Sequence, residues 1–230
     1  MIQDNDRILV GFSGGKDSQA LLNLLFSLQK KAPVRFELLP VYIDAGFKGS
    51  ISQMLDQFVR KNYGELRTEY TDFGVVAHSA ENLENPCFLC SRLRRNRLFK
   101  MARENGCRKI ALGHNKDDII ETLFINMFYA GKIGTMKPRQ SFFEGNLDII
   151  RPLSYVEKDE ISRFCRLLEL PEFKNTCPSA NVTKRGEIRA MLDALYKHNK
   201  NIKGNIFRAM GNIATDYLLD IKNERHSKST

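Results

Sequence analysis

Residues 11–18, GFSGGKDS, place glycines, hydroxyls, a lysine and an aspartate in a pattern suited to phosphate binding. The segment lies between a predicted strand at 7–12 and a predicted helix that begins at Asp17. The first turn of a helix presents unpaired N–H groups and the positive end of its dipole to an anion. The paired glycines let the backbone approach a phosphate, and the serines and the lysine add donors and charge. We therefore assign nucleotide phosphate binding to Ser13, Gly14, Gly15, Lys16, Asp17 and Ser18.

Two better-known phosphate loops do not match this segment. A Walker loop has a longer spacing between its glycines and follows the lysine with Ser or Thr, whereas Gly11 and Gly15 enclose three residues and Asp17 follows the lysine. A dinucleotide-binding fingerprint requires glycine where this chain has Ser13. The alternative without a ligand is a tight turn with a serine N-cap, which does not need paired glycines between two serines. Asp17 either caps the turn or contributes to the coordination shell of Mg²⁺.

Cysteines form the second chemical pattern. Cys87 and Cys90 stand in NPCFLCSRLRR, just before a predicted basic helix at 91–105. Such a pair on a turn can direct both sulfurs at one metal site, with a redox dithiol or a chance pair as alternatives. Cys177, in a polar loop, is the third candidate ligand. Three thiolates suit a cluster or a metal with one open position better than a closed zinc site. The cysteines that we expect to be structural are Cys107 and Cys165.

Polar residues also follow a later strand. Gly113 and His114 end a predicted strand at 108–114, and Asp117 and Asp118 stand in the first turn of the next helix. Because parallel strands end at one edge of a sheet, this block lies on the same edge as the phosphate loop, and we assign Gly113 to the nucleotide site. Acids at a helix start often serve only as partners of the dipole, and the histidine can equally be a capping residue.

Basic residues cluster next to the cysteines. Those of the helix at 91–105 are Arg92, Arg94, Arg95, Arg97 and Lys100. A charge run is usually a solvated helix face, but its position beside the proposed site favours contacts with RNA phosphates. Arg94, four residues after Cys90, is the one that we expect to point into the site. A second basic cluster follows the third cysteine and comprises Lys184, Arg185 and Arg189.

The elements that position these residues follow from the spacing of apolar side chains. Predicted strands lie at 7–12, 36–44, 65–70 and 108–114, with a hairpin or irregular arm at 137–150. Predicted helices lie at 17–31, 51–63, 91–105, 115–130, 157–169, 184–197 and 202–221. This alternation indicates an α/β fold, a doubly wound and mostly parallel sheet with a small C-terminal helical extension. We expect an ATP-binding domain at 1–155, the helical extension at 156–222 and a disordered tail at 223–230.

Composition narrows the class of protein. The 230 residues are 42% hydrophobic and 27% charged, which is typical of a globular chain and excludes a disordered or fibrous one. No apolar run approaches the roughly 20 residues of a membrane span, and we expect a cytoplasmic protein. A net charge of +9 favours a polyanionic partner. Five cysteines in a reducing compartment favour thiols, metal ligation or catalysis over disulfides.

The sequence SGGKDS resembles the PP-loop of the N-type ATP pyrophosphatases, whose pattern is Ser-Gly-Gly-x-Asp-Ser. The resemblance implies an adenine nucleotide alpha-hydrolase-like fold in which the loop grips the pyrophosphate of ATP and a substrate oxygen attacks the α-phosphate. In that family the end of the second strand lies beside the nucleoside, which makes Asp44 a candidate ATP neighbour, the alternative being an exposed loop acid. The resemblance also implies that one of the two acids of the GHNKDD block lies near Mg²⁺ or the activated base, and we prefer Asp117 as the catalytic one.

Further blocks are similar to the tRNA 2-thiocytidine synthetase (TtcA) family over roughly residues 7 to 195. They are CFLCSRLRR, GHNKDDIIETLFINMFYAGK, IIRPL and the late cysteine. The Cys-Pro form of the last block is also similar to the related tRNA 2-thiouridine synthetases. In both groups three cysteines hold a [4Fe-4S] cluster whose fourth iron is open to sulfide. The resemblance therefore implies Cys87, Cys90 and Cys177 as its ligands.

The activity implied is ATP-dependent tRNA thiolation. The O2 of a pyrimidine, most simply of cytidine, attacks the α-phosphate of ATP in the presence of Mg²⁺, and sulfide then displaces AMP. The catalytic candidates are Asp17, Arg94 and Asp117. The resemblance also implies tRNA as substrate, a cysteine desulfurase or free sulfide as sulfur donor, no membrane partner, and a homodimer.

Other functions fit parts of the pattern. An amidating synthetase of the same superfamily usually needs a glutaminase, and a lysidine-forming ligase does not need three cysteines. A persulfide-type thiouridylase would depend on one cysteine rather than on three. A non-catalytic, zinc-containing RNA-binding protein would not need SGGKDS.

Overall fold

A six-stranded sheet forms the centre of the computed structural model, which describes residues 1–174, 176–180 and 183–219. The strands are β1 (Asp6–Gly11), β2 (Phe36–Asp44), β3 (Arg67–Tyr70), β4 (Lys109–Ala111), β5 (Arg139–Phe142) and β6 (Leu147–Ile150). Their spatial order is β3-β2-β1-β4-β6-β5, and every neighbouring pair is parallel except β5 with β6. The predicted doubly wound, mostly parallel sheet is confirmed.

The order of the strands creates a crevice beside β1. The chain builds the sheet outward from β1 to β3, and then continues on the other side of β1 with β4. Ligands of open α/β sheets bind at such a reversal, outside the carboxyl ends of the strands. The segments that leave the sheet there are GFSGGKDS after β1 and GHNKDD after β4.

Helices cover both faces of the sheet. The helices of the described residues are α1 (Lys16–Lys31), α2 (Ser52–Asn62), α3 (Phe73–Ala77), α4 (Pro86–Glu104), α5 (Lys116–Ala130), α6 (Lys158–Leu167), α7 (Lys184–His198) and α8 (Asn201–Ala209). Alternate residues of β1 enter different cores, since Ile8 and Val10 pack in one apolar cluster and Leu9 in the other. Successive side chains of a strand point to opposite faces, so each face of β1 needs a helical layer.

Three helices differ from the prediction. α4 begins at Pro86 rather than at residue 91, because Asn85 caps it and accepts bonds from the N–H groups of Cys87 and Phe88. The short helix α3 was not predicted. α8 ends at Ala209, whereas the predicted helix runs to residue 221. Gly211 and Asn212 follow Ala209 within three residues, and these residue types commonly end helices.

The chain divides into two compact units, and the first comprises Met1–Arg189. It includes α6, because Ile161 and Cys165 belong to the same apolar core as α1. The expected domain boundary at residue 155 falls inside this unit. The second unit begins at Ala190 and contains α8. The expected tail at 223–230 lies outside the described residues.

None of the helices in the described residues has the length and hydropathy that crossing a membrane would require.

Candidate active site

The phosphate loop closes on itself through its serines. The Ser18 hydroxyl donates to the carbonyl of Gly15 at 2.9 Å and lies 3.1 Å from the Ser13 hydroxyl. Gly14 has a φ of 79°, in the left-handed region that glycine adopts without strain. Gly15 is the N-cap of α1 and supplies no side-chain cap. The first N–H groups of α1 are therefore open to an anion, which is the geometry that the sequence predicts.

A second glycine brings β4 against this loop. A Cβ at Gly113 would lie 2.9 Å from the carbonyl oxygen of Asp17 and 3.1 Å from the backbone nitrogen of Ser18. Both contacts are with backbone, so no side-chain movement could relieve them. Gly113 thus allows the segment after β4 to approach the first turn of α1 closely, a role distinct from the nucleotide contact that we assign to it from the sequence.

Asp17, in the first turn of α1, is bonded to the segment that follows β4. Its Oδ1 accepts a bond from Nδ2 of Asn115 at 2.9 Å. Burial raises the pKa of the Asp17 carboxyl above its usual value, and the Asn115 bond opposes that rise. A partly desolvated carboxylate beside the phosphate loop is a suitable ligand for Mg²⁺.

Asn115 is a functional residue that our sequence analysis missed. It is 1% exposed and forms a reciprocal capping box with Asp118 at the start of α5. The spacing Asn-x-x-Asp before an apolar helix predicts such a cap. The bond from Asn115 to Asp17 joins residues 98 positions apart and has no local signature.

The two acids of the GHNKDD block are both held by protein groups. Asp117 Oδ2 accepts a bond from the backbone N–H of Lys158 at 2.9 Å, at the first residue of α6. Asp118 completes the capping box and lies 3.1 Å from Arg185. The dipole-partner role therefore accounts for part of what each acid does, and a catalytic role for Asp117 stays a prediction.

The other two charged residues assigned to the nucleotide also have protein partners. Lys16 forms an ion pair of 2.6 Å with Glu172, both side chains being exposed. Asp44 is 4% exposed, and its carboxylate binds the N–H of Gly46 and the Ser50 hydroxyl. Asp44 is thus not an exposed loop acid. It orders the turn that follows β2 at the carboxyl edge of the sheet.

The CxxC pair lies inside the first turns of α4. Since α4 begins at Pro86, Cys87 and Cys90 stand three positions apart on one face of the helix. Burial raises the pKa of both thiols, and proximity to Cys177 raises each further. The three sulfurs therefore share one region of the molecule, as the family resemblance implies.

The sulfurs do not converge on a single point. No three His, Cys, Asp or Glu side chains among the described residues are grouped tightly enough to hold a metal ion. A zinc ion holds its thiolates about 4 Å from one another, because each Zn–S bond is about 2.3 Å long. Among the described residues the three sulfurs are thus not spaced as the ligands of one zinc ion would be.

A histidine fastens the segment that carries Cys177. His78 Nδ1 lies 2.8 Å from the carbonyl of Gly74 and Nε2 lies 2.6 Å from the Ser179 hydroxyl. A carbonyl only accepts, so Nδ1 carries the hydrogen and Nε2 accepts from the serine. This contact connects the helix α3 to the cysteine segment, and we call it the His78–Ser179 latch.

Ion pairing divides the cations of α4 into two groups. Arg92 pairs with Glu84, and Arg97 pairs with Glu69 and Glu104. Among the contacts of the described residues, neither Arg94 nor Arg95 has an acidic partner within ion-pair distance. Arg94 instead lowers the pKa of the Cys90 thiol, which places its charge beside the cysteines, as predicted.

The residues of the second basic cluster, Lys184, Arg185 and Arg189, form contacts within the protein. Arg185 lies 3.1 Å from both Asp118 and Glu121, and Arg189 lies 2.7 Å from Glu121. Lys184 stacks its ammonium over the ring of Tyr129, 4.1 Å from the centroid. Glu121 is nearly fully buried, so this cluster fastens the start of α7 to α5 rather than offering free charge to RNA.

His114 is held in its neutral form. Burial, together with the charges of the neighbouring Arg151 and Arg185, lowers its pKa to about 4. Nε of Arg151 donates to Nδ1 of His114 at 3.4 Å. A neutral ring that accepts at Nδ1 carries its hydrogen on Nε2, which makes His114 a hydrogen-bond donor rather than a general acid at neutral pH.

Comparisons with known proteins agree with this geometry. Residues 2–208 match the family model of the PP-loop domain. A tRNA-cytidine(32) 2-sulfurtransferase of Geobacter sulfurreducens is 38% identical over 98% of this chain and 89% of its own length. A tRNA-cytidine(32) 2-sulfurtransferase of Cupriavidus necator is 36% identical over 96% of this chain and 71% of its own length.

A solved structure is also similar. It is the U34-tRNA thiolase NcsA from Methanococcus maripaludis with its [4Fe-4S] cluster, which matches with a TM-score of 0.76. The match covers 94% of this chain and 74% of that chain at 24% sequence identity. At that identity the similarity shows a shared fold.

Proposed function

Since the chain belongs to the PP-loop family and, within it, to the tRNA 2-thiolation family of its curated relatives, we propose that it is an ATP-dependent tRNA thiolase. It adenylates the C2 carbonyl of a tRNA pyrimidine, of cytidine by preference, and replaces the oxygen with sulfur. The observation that carries the proposal is that an uncapped phosphate loop and three cysteines belong to the same compact unit. A lysidine ligase or an RNA-binding protein does not require both.

The first step is the attack of O2 on the α-phosphate of ATP. The open N–H groups at the start of α1 bind the phosphates, and Lys16 exchanges Glu172 for a phosphate oxygen. Asp17, oriented by Asn115, would hold Mg²⁺, which would offset the charge of the phosphates. Pyrophosphate leaves with the electron pair of the broken P–O bond, and the base oxygen becomes bonded to AMP. This conversion is required because a carbonyl oxygen is a poor leaving group until it is phosphorylated.

The second step exchanges oxygen for sulfur. A sulfide attacks C2, the C–O bond breaks, and AMP leaves with the original carbonyl oxygen, so that C=S replaces C=O. Holding the sulfide beside the adenylated base makes the attack effectively unimolecular. Arg94, whose charge already lowers the pKa of Cys90, stabilises the incoming anion. Asp117 is the candidate catalytic acid at the pyrimidine base. Its carboxylate would then interact with the base while it accepts the bond from the N–H of Lys158.

The residues that would hold a [4Fe-4S] cluster are Cys87, Cys90 and Cys177. The mutual electrostatic effects of the three thiols, through which Cys177 raises the pKa of Cys87 and of Cys90, support this donor set. When bound, such a cluster supplies an iron without a protein ligand, at which sulfide can be carried to the base.

The partners follow from the reaction. The enzyme takes its tRNA from the cytoplasm, and its sulfur comes from a cysteine desulfurase or from free sulfide. A homodimer is part of the proposal through the family resemblance alone.

The proposal is tested by measuring pyrophosphate from ATP with and without tRNA, in anaerobically reconstituted protein. We expect release only when tRNA is present, and Cys87→Ala should retain this release while losing sulfur incorporation. Cys107→Ser, a change at a buried core thiol, is the matched control and should thiolate like the wild type. Sulfur incorporation that survives Cys87→Ala would contradict the cluster and leave the persulfide route.

A further inference from the structure

Arg151 is a buried cation that the proposed reaction does not use. It follows β6 directly, in the sequence IIRPL, at the carboxyl edge of the sheet beside β4. The residue is 5% exposed. Its Nη1 donates to the carbonyl of Lys137 at 2.6 Å, and its Nε donates to His114. Both partners are uncharged.

A buried guanidinium normally has a carboxylate to offset its desolvation. Within the described part of the chain, however, no acid lies within ion-pair distance of Arg151. Its pKa is lowered to about 10 by burial and by the charge of Arg95. The desolvation penalty of the Arg151 guanidinium is therefore not offset by a carboxylate among the described residues.

The neighbours of Arg151 increase the positive potential. Arg95 projects from α4, is exposed, and has no acidic partner among the contacts of the described residues. His114, neutral and accepting at Nδ1, leaves an Nε2–H donor next to the guanidinium. Two cations and a neutral donor at the end of two strands form a receptor for an anion with several oxygens.

We propose that Arg151 and Arg95, with His114, bind a phosphate group at the edge of the catalytic crevice. The inference rests on the proposed function, since that function supplies two sources of phosphate, the tRNA backbone and ATP. Arg151 is rigid because two of its nitrogens are fixed by protein groups, so it can donate to a phosphate oxygen from a set position. Arg95 is exposed and adds a second positive charge from α4.

The site is tested with the full chain and three variants. Arg95→Gln removes the exposed member without risk to the core, and Arg151→Lys keeps the charge but loses the forked donors. Arg103→Gln is the matched control for Arg95, because it removes an exposed charge from the last turn of the same helix. Thermal melting checks that each variant is folded. The measurements are tRNA affinity as a function of salt, and ATP affinity at fixed salt.

A contact with the tRNA backbone predicts that Arg95→Gln and Arg151→Lys bind tRNA about tenfold more weakly and that Arg95→Gln reduces the salt slope by about 0.7 to 1. ATP affinity and the Arg103→Gln variant should then be unchanged. A contact with ATP predicts the converse, that both variants bind ATP more weakly and bind tRNA normally. That result would support the phosphate site with ATP as the source of the phosphate. Folded variants with wild-type affinity for both ligands would overturn the site.

These binding measurements do not depend on sulfur transfer. If the wild type incorporates no sulfur while Arg95→Gln and Arg151→Lys still weaken tRNA or ATP binding, only the thiolase proposal is contradicted. A wild type that thiolates tRNA while both variants bind both ligands normally would contradict the phosphate site alone.

Discussion

The arginines around the crevice differ most in whether a carboxylate of the protein already neutralises their charge. Arg185 and Arg189 share the buried carboxylate of Glu121, whereas Arg94 has no such partner among the described residues. Both sets look alike in the sequence as basic clusters beside a cysteine. Only the fold shows that Arg185 and Arg189 form a structural clamp, whereas the charge of Arg94 lies beside Cys90.

A prediction at this scale concerns His114. Its pKa of about 4 lies below the usual value of about 6.5. Between these two pH values the unfolded chain binds a proton that the folded chain does not, so stability falls as pH drops through this window. His114→Gln should flatten that fall by less than about 1.4 kcal/mol per pH unit, the limit for one proton.

The measurement is the midpoint of urea unfolding at pH values from 7 down to the acid limit of the fold, for wild type and variant. His198→Gln, at an exposed position of α7, is the control and should follow the wild type. A His114→Gln variant with an unchanged pH dependence would show that the ring is not held neutral.

Sequence analysis succeeded for residues whose role is local and was incomplete for those whose role is tertiary. The SGGKDS loop was predicted because its strand, glycines and helix start are contiguous. The bond from Asn115 to Asp17 and the contact of Arg151 with His114 join distant segments. Their residue types fit many surface positions equally well, so the pattern alone cannot assign them.

At the scale of elements, two strand ends must approach closely to form the crevice. The contact of β4 with the start of α1 is backbone against backbone at Gly113. The helix start that binds phosphate is therefore positioned partly by a residue that carries no functional group.

We expect Gly113→Ala to push the start of α1 away from β4. The new Cβ would lie 2.9 Å from the Asp17 carbonyl oxygen, closer than real contacts allow. The affinity for ATP should fall about tenfold, which corresponds to about 1.4 kcal/mol. Equilibrium binding of ATP measures this change.

The control for this substitution is Gly134→Ala. A Cβ at Gly134 meets no atom within 4 Å, so that variant should bind ATP normally. If Gly113→Ala also binds ATP normally, the close approach does not position the phosphate loop.

The His78–Ser179 latch is a second contact between elements that supports the site. It acts on the segment of Cys177, the cysteine that is most distant in sequence from the CxxC pair. His78→Ala should weaken cluster retention about fivefold, as expected for the loss of one hydrogen bond worth about 1 kcal/mol.

Iron and acid-labile sulfide per chain, measured after timed exposure to a chelator, report this retention without any activity assay. Ser179→Ala should have the same effect, and the double variant should add little, because both changes remove one contact. His198→Ala serves as the control. Wild-type retention in His78→Ala would make the latch irrelevant to the cysteines.

At the scale of the whole molecule, the order of the strands brings the chemistry together. Strand-and-helix alternation predicted the parallel sheet, and the carboxyl-edge rule placed the loops after β1 and β4 on one side. The start of α4 was predicted too late because its basic residues hid the Asn-Pro helix start at Asn85. The proximity of Cys177 to the CxxC pair came from the family resemblance, since nothing local links segments so far apart.

The most direct measurement of the central claim is mass spectrometry of tRNA nucleosides after reaction with ATP, Mg²⁺ and sulfide under anaerobic conditions. We expect a cytidine in which sulfur has replaced oxygen, formed in equal amount with AMP and pyrophosphate, and absent when ATP is omitted or Cys177 is changed to Ser. AMP formation with no sulfur in the tRNA, or sulfur incorporation that does not need ATP, would contradict the account.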